Sequence, residues 1–315
     1  MGNQQSSDDD ALFRAVQQVL ARQLAGSLPA GLYLVATPIG NLADISLRAL
    51  GILAKADMIY CEDKRHSAKL LNHYGITSTL KSYHEHNADR ERDGLLDYVS
   101  DGKSVALISD AGMPLISDPG HKLVREAKLL ELDVIAIPGA SAPVTALVSA
   151  GLPTDSFMFA GFLPPKQVAR KKRLLELANH EATLIFFESP KRLKASLHDF
   201  AECYGDRPAA IARELTKLHE TVSTGSLVKL AEQFNQQETI KGEIVILVAP
   251  PDKDATALSE EELAVELAAE LQQSSLRDAV QAICAKFDLP RSKVYNLAVT
   301  VKKQLSEKST KDDRE

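Results

Sequence analysis

The chain has 315 residues, 44% of them hydrophobic and 25% charged, which is enough apolar material for two ordinary domains and rules out a disordered polyelectrolyte. A net charge of −6 excludes a protein that coats nucleic acid by overall charge, and the three scattered cysteines, Cys61, Cys203 and Cys284, have neither zinc-ligand spacing nor the pattern of a disulfide framework. No apolar run reaches the length of a bilayer span, and the polar, acidic start lacks the basic flank and apolar run of a secretory signal, so a cytoplasmic protein is expected.

In chain order, residues 1–9 are polar and are expected to be disordered, while residues 11–24 place Leu12, Val16, Val19, Leu20 and Leu24 on one helical face, the pattern of a docking helix. Between Leu32 and Val248, short β-branched runs alternate with helical patterns, predicting βα units around parallel sheets. The predicted strands are 32–36, 58–61, 105–109, 134–137, 157–160, 184–187, 209–212 and 244–248. Gly151 and Pro153 follow the fifth unit and mark the joint between two αβα domains, 31–150 and 151–250. After Pro250-Pro251, an acidic linker leads to helical patterns near 259–272, 276–287 and 291–306, a small helical module with a disordered tail. Its last two helices, separated by Phe287-Asp288-Leu289-Pro290, have the look of a helix-turn-helix with Lys286, Arg291, Lys293, Lys302 and Lys303 nearby.

None of the sixteen glycines is followed two residues later by another, so the dinucleotide fingerprint and the Walker A loop are both absent. A ligand must then be held by other loops, which in open α/β sheets lie beyond the carboxyl ends of the strands. The first exit, residues 37–42, reads TPIGNL, with Asp44 placed to cap the next helix. The second, Glu62-Asp63-Lys64-Arg65-His66, packs five ionisable residues at a strand end. Residues 109–120, SDAGMPLISDPG, form a rigid loop rich in backbone groups, and 137–143, IPGASAP, repeat the pattern with Ser141 as the expected helix cap. His84-Glu85-His86 sets two imidazoles on one face of a strand but lacks a third zinc ligand, so surface or RNA contact is the better reading. From Pro164 to Lys194, eight basic residues face three acidic ones, a local excess that marks an RNA-facing patch or a solvated helix face.

The strings LYLVATPIGNLADISLRAL (32–50), CEDKRH (61–66), SDAGMPLISDPG (109–120), PGASA (138–142), AGFLP (160–164), ESPKRL (188–193), RELTKLHE (213–220) and KGEIVILVAP (241–250), in this order, resemble the ribosomal small-subunit methyltransferase I family of the tetrapyrrole methylase class. Lys64 stands where that family carries threonine in an EDTR motif. The resemblance implies two αβα domains of the class III methyltransferase type with S-adenosylmethionine (SAM) in the cleft between them, a homodimer, and no metal. It implies transfer of methyl to the ribose 2′-hydroxyl of a decoding-centre cytidine in the 16S rRNA of the 30S subunit. Cofactor contacts are implied for Thr37, Pro38, Gly112, Met113, Pro114, Ile116, Ser117, Ser141, Ala142, Phe162, Leu215 and Gly242. The charged exits Glu62, Asp63, Arg65, Asp110 and Glu188 offer groups for proton removal and positioning, with the catalytic roles expected from Arg213, Glu214, Lys217 and Glu220. RNA contacts are expected from Arg65, Lys166, Arg170, Lys171, Lys172, Arg173, Lys191 and Arg192. A methylase of the same fold acting on a tetrapyrrole or a protein side chain, and a ribosome-binding module without catalysis, are the competing readings.

Overall fold

The computed structural model describes residues 2–117, 120–252, 260–287 and 291–312. Expectations for residues 118–119, the acidic linker at 253–259 and the break at 288–290 lie outside the described residues. The chain opens with helix α1 (Gly2–Leu24), which already includes the polar segment expected to be disordered. Leu12, Phe13, Val16 and Val19 remain exposed on it. Its seat is instead at its last turns, where Gln23 lies so close to Gly51 of α2 (Leu47–Lys55) that a Cβ there would meet it at 2.6 Å.

Five parallel strands form the first sheet in the order β3-β2-β4-β1-β5: β1 (Gly31–Val35), β2 (Met58–Cys61), β3 (Leu80–Ser82), β4 (Ser104–Ile108) and β5 (Val134–Ile137). Every residue of β1 and β4 is buried, as continuous apolar runs flanked by helices on both faces require. The helices are α2, α3 (Lys64–His73), α4 (Ala88–Ser100), α5 (His121–Leu129) and α6 (Ala142–Ser149). The expected cap, Asp44, ends a short 3-10 turn that Asn41 caps; α2 is capped by Ser46, whose Oγ accepts from the N–H of Ala49.

The second sheet corrects the expectation of parallel strands. It contains β6 (Phe157–Phe162), β7 (Thr183–Glu188), β8 (Pro208–Arg213), β9 (Thr221–Ser226) and β10 (Ile244–Val248), in the order β6-β7-β10-β8-β9. Only β6 and β7 run parallel; β10 is antiparallel to both β7 and β8, and β8 to β9. The seven-residue connection from Arg213 to Thr221 is too short for a crossover, so β9 must return as a hairpin partner of β8. Helices α7 (Gln167–Leu177), α8 (Leu193–Tyr204) and α9 (Leu227–Asn235) cover one face through Leu174, Leu197, Phe200 and Leu230.

On the other face, Ile185, Ala210, Ala212, Val245 and Leu247 pack with Ile39 and with Ala146 and Leu147 of α6. The second sheet is therefore covered on this face by α6 and the segment after β1, and residues 1–250 form one compact unit. The second unit holds α10 (Glu260–Leu271), α11 (Leu276–Phe287) and α12 (Arg291–Asp312), packed through Leu263, Leu267, Val280, Ile283, Val294 and Ala298. Helix α12 continues to Asp312, through most of the tail expected to be disordered. Among the described residues no helix is long and apolar enough to cross a membrane.

Candidate active site

Two strand exits of the first sheet are tied together by backbone. The N–H of Thr37 donates to the carbonyl of Gly112 at 2.9 Å, the N–H of Gly112 donates back to Thr37 at 3.0 Å, and the buried Thr37 hydroxyl donates to the Ser109 carbonyl at 3.1 Å. Gly112 sits at φ +80, and a Cβ on it would lie 3.3 Å from Ile39 Cγ2. Farther along the same loop, Leu115 and Ser117 also hold positive φ, as do Glu214 and Thr216 in the loop after β8. Such backbone strain persists only where the surroundings over-determine it, and four of the five non-glycine cases among the described residues fall in these two loops.

The loop after β8 is held to the approach to β10 by Glu214. Its Oε1 accepts from Lys217 Nζ at 2.8 Å and from the N–H of Glu243 at 3.0 Å, and Lys217 also lies 3.2 Å from the Glu243 carboxylate. The Glu214 side chain occupies the place a Cβ on Gly242 would take, and Gly242 has φ +95. The Lys217 ammonium and the Glu243 N–H hold the Glu214 carboxyl below its ordinary range, while bonds to both glutamates outweigh burial and raise Lys217. A carboxyl depressed in this way stabilises the fold above its ordinary pKa of 4.5 and loses that contribution as pH falls through its lower folded value. Glu214→Gln should therefore be less stable than wild type by about 1 kcal/mol at neutral pH, with the gap closing in acid; urea unfolding across a pH series measures it.

Between these loops lies a cavity of about 390 Å³, within the range of small-molecule sites. Eight of the twelve residues expected to touch cofactor line it: Gly112, Met113, Ile116, Ser141, Ala142, Phe162, Leu215 and Gly242. Thr37 and Pro38 line a second, adjoining cavity, Pro114 lies in a small crevice near Glu62 and Tyr83, and the Ser117 hydroxyl lies 3.9 Å from where a Cβ on Gly161 would be. Ser141 stands at the start of α6, but its hydroxyl makes no capping bond, which corrects its expected role. The sequence reading missed Ile39, Ala111, Pro143, Phe187, Ser189, Pro190 and Glu243 to Val245 as lining residues. Most adjoin expected residues at the same strand exits, so proximity in sequence was the available signal.

Glu188, 3% exposed, also lines the first cavity. Its Oε1 accepts from the N–H of Ser189 and from Arg192 Nη2, both at 2.7 Å, and its Oε2 from the Ser196 hydroxyl at 2.5 Å. Among the residues given catalytic roles, Lys217 borders the second cavity, and exposed Glu220 accepts from the N–H of Thr216 at 2.6 Å. Arg213 ends β8, and its Nε is buried without a hydrogen-bond partner.

The basic stretch divides. Arg170, only 4% exposed, is no surface residue: its Nε donates to the fully buried Asp199 at 2.6 Å and its Nη1 to the Pro165 carbonyl at 3.1 Å. Lys171 is paired with Glu202, Arg173 with Glu176 and Arg192 with Glu188, while Lys166, Lys172 and Lys191 are exposed. Arg65 is exposed and lies 3.5 Å from Asp63. His84 and His86 lie past the end of β3, in the turn before α4, so the expected strand face does not exist. Among the described residues the one cluster with metal-like spacing is His198, Asp199 and Glu202, where Asp199 is already bound by Arg170 and Gln167.

Solved structures share this architecture. A cobalt precorrin-4 methyltransferase aligns with a TM-score of 0.53 at 18% identity, over 69% of this chain and 94% of that one. A diphthine synthase aligns with a TM-score of 0.53 at 17% identity, over 69% and 89%. At these identities the likeness defines the fold alone, two sheets in one α/β unit. The model of the Tetrapyrrole (Corrin/Porphyrin) Methylases matches residues 31–231. The protein called Ribosomal RNA small subunit methyltransferase I in Mesorhizobium japonicum is 52% identical over 252 residues, 79% of this chain and 86% of that protein. Those of Halalkalibacterium halodurans, 43% identical over 84% of this chain and 93% of the relative, and Vibrio cholerae, 48% over 69% and 76%, carry the same name. The chain belongs to the tetrapyrrole methylase family and, within it, to the ribosomal RNA small subunit methyltransferase I group.

Proposed function

We propose that the chain is a SAM-dependent methyltransferase acting on small-subunit ribosomal RNA, and that its target is the ribose 2′-hydroxyl of a decoding-centre cytidine. The observation that carries this reading is the cavity closed by glycine-containing loops from both sheets in a chain of this family. Its residues fit the cofactor: the positive-φ backbone of Gly112 and Gly242 lines the cavity, Met113, Ile116, Phe162 and Leu215 offer apolar contact, and the Ser141 hydroxyl makes no capping bond. Bound SAM supplies a methyl group on a sulfonium, a leaving group that needs no further activation. The chain's part is to hold the ribose hydroxyl in line and to manage its proton, and positioning alone is worth roughly 7–11 kcal/mol in favourable cases. Glu214 takes a positioning role in this scheme, because a carboxyl held ionised by Lys217 is a weak base, and Arg213, Lys217 and Glu220 are assigned positioning roles beside it.

Calorimetric titration with SAM, followed by transfer of labelled methyl to 30S subunits from cells lacking this chain, tests the reading. One methyl per subunit is expected, in a nucleotide that resists alkaline hydrolysis at its 3′ side, as a 2′-O-methyl ribose does. Label entering a tetrapyrrole and not the subunit would overturn it. For the RNA surface, Lys166, Lys172 and Lys191 are the exposed cations of the basic stretch that carry the proposal. Converting all three to Gln should lower the logarithmic salt slope of 30S binding by about 2–3 and leave SAM affinity unchanged; an unaltered slope would make them a solvated face. A homodimer is the working form in this scheme. Val144 and Val148, one turn apart on α6 and both exposed, support it, and sedimentation equilibrium measures it.

A further inference from the structure

A second cavity of about 300 Å³ adjoins the first, and Ile39, Ala111 and Glu243 line both. Its chemistry differs. The first is largely apolar, whereas the second gathers His66 and Lys69 from α3, Lys217 from the loop after β8 and Asp110 from the exit of β4. His66 and Lys69 stand three residues apart and so share a side of the helix. Both are exposed, and among the described residues neither side chain has an ion pair, in contrast to Lys217, which is held by Glu214 and Glu243.

Asp110 is fixed by the same helix. Its Oδ1 accepts the N–H of Asp63 at 3.2 Å, and the Asp63 carboxylate in turn caps α3 by accepting the N–H of Arg65 at 2.8 Å. The other Asp110 oxygen has no hydrogen bond among the described residues. Asp110 directly precedes Ala111, so it stands one residue from the wall common to both cavities. The alternatives are engaged or displaced: Glu214 by Lys217 and a backbone N–H, Glu243 by Lys217, and Glu220 by the N–H of Thr216.

We propose that the second cavity receives the acceptor nucleotide, with Lys69 and His66 holding a backbone phosphate and Asp110 taking the proton of the ribose hydroxyl. This rests on the reading of the chain as an RNA methyltransferase and deepens it. A single unpaired ammonium beside the carboxylates of Asp110 and Glu243 suits the one negative charge of a phosphodiester and not the many carboxylates of a tetrapyrrole. In the transfer, the ribose oxygen forms its bond to the methyl carbon and the carbon–sulfur bonding pair leaves with sulfur. The hydroxyl proton passes to the free oxygen of Asp110 and then to water, one proton for each methyl transferred.

The test uses the full chain and 30S subunits from cells that lack it. Asp110→Asn keeps an oxygen for the Asp63 N–H and so preserves the tie to α3. It should lower kcat by about 100-fold or more, with SAM affinity and the KM for subunits near wild type, and Asp110→Glu should recover part of the rate. Lys69→Gln with His66→Gln should weaken 30S binding measured without SAM by about tenfold, reduce its salt slope by about 1, and raise KM without the fall in kcat seen for Asp110→Asn. A wild-type kcat for Asp110→Asn, or unchanged 30S affinity and salt slope for the paired variant, would overturn the assignment while leaving the methyltransferase reading intact. A wild-type chain that binds SAM but transfers no methyl to the subunit overturns that reading, and the acceptor cavity with it.

Discussion

Gly112→Val should abolish measurable SAM binding while the chain still folds. The position has φ +80, which a β-branched residue adopts only under strain, and even a methyl group there would press on Ile39 Cγ2 at 3.3 Å. Thr37 and Gly112 hold each other by two backbone bonds, so the loop cannot swing away to relieve the strain without opening the wall of the cavity. A loss of about 100-fold or more in affinity, equivalent to roughly 3 kcal/mol, is expected by calorimetry. Far-ultraviolet circular dichroism should be unchanged. Wild-type affinity in a folded variant would remove this cavity as the cofactor site.

The largest effect on stability is expected at Asp199. It is completely buried, accepts from Arg170 Nε at 2.6 Å and from Gln167 Nε2 at 2.9 Å, and lies 3.8 Å from Lys171 Nζ. Asp199→Ala would leave the Arg170 guanidinium buried beside no counter-charge, at a cost of about 3–5 kcal/mol. The double variant Arg170→Met, Asp199→Leu removes the stranded charge and should regain most of that loss. Urea unfolding of the three chains separates these outcomes. Equal destabilisation in the single and double variants would mean that packing, and not the uncompensated charge, sets the cost. SAM affinity should change little, since neither residue lines the cavity.

The first sheet was legible because β1, β2, β4 and β5 are short apolar runs, β1 and β4 buried along their whole length, and these four of its five strands could be read directly. β3 escaped notice because it has only three residues, Leu80–Ser82, and lies at the sheet edge. β9 escaped for another reason: Thr-Val-Ser-Thr-Gly-Ser is a polar edge strand whose pairing with β8, and not its own hydrophobicity, makes it a strand. The helical spacing did hold a signal for Arg170. It shares a face with Leu174 and Leu177, four and seven residues on, and both are buried, yet a run of four basic residues masks that pattern.

By itself the sequence determined the strand exits that line the two cavities, because glycine, proline and small residues at the ends of apolar runs announce close backbone approach wherever the chain folds. It also determined the helical patterns near 259–272, 276–287 and 291–306, whose apolar spacing is local. Only the tertiary structure decided which exits meet. The pairing of Thr37 with Gly112, the clasp of Glu214 on Lys217 and Glu243, and the burial of Arg170 against Asp199 join residues up to 75 positions apart. Such contacts depend on strand order and on the shared core of Ile39, Leu147, Ile185 and Val245. Local propensity does not encode that order. It arises when one face of the second sheet is buried under α6 and the segment after β1, and that burial sets which charged groups are left facing the cavities.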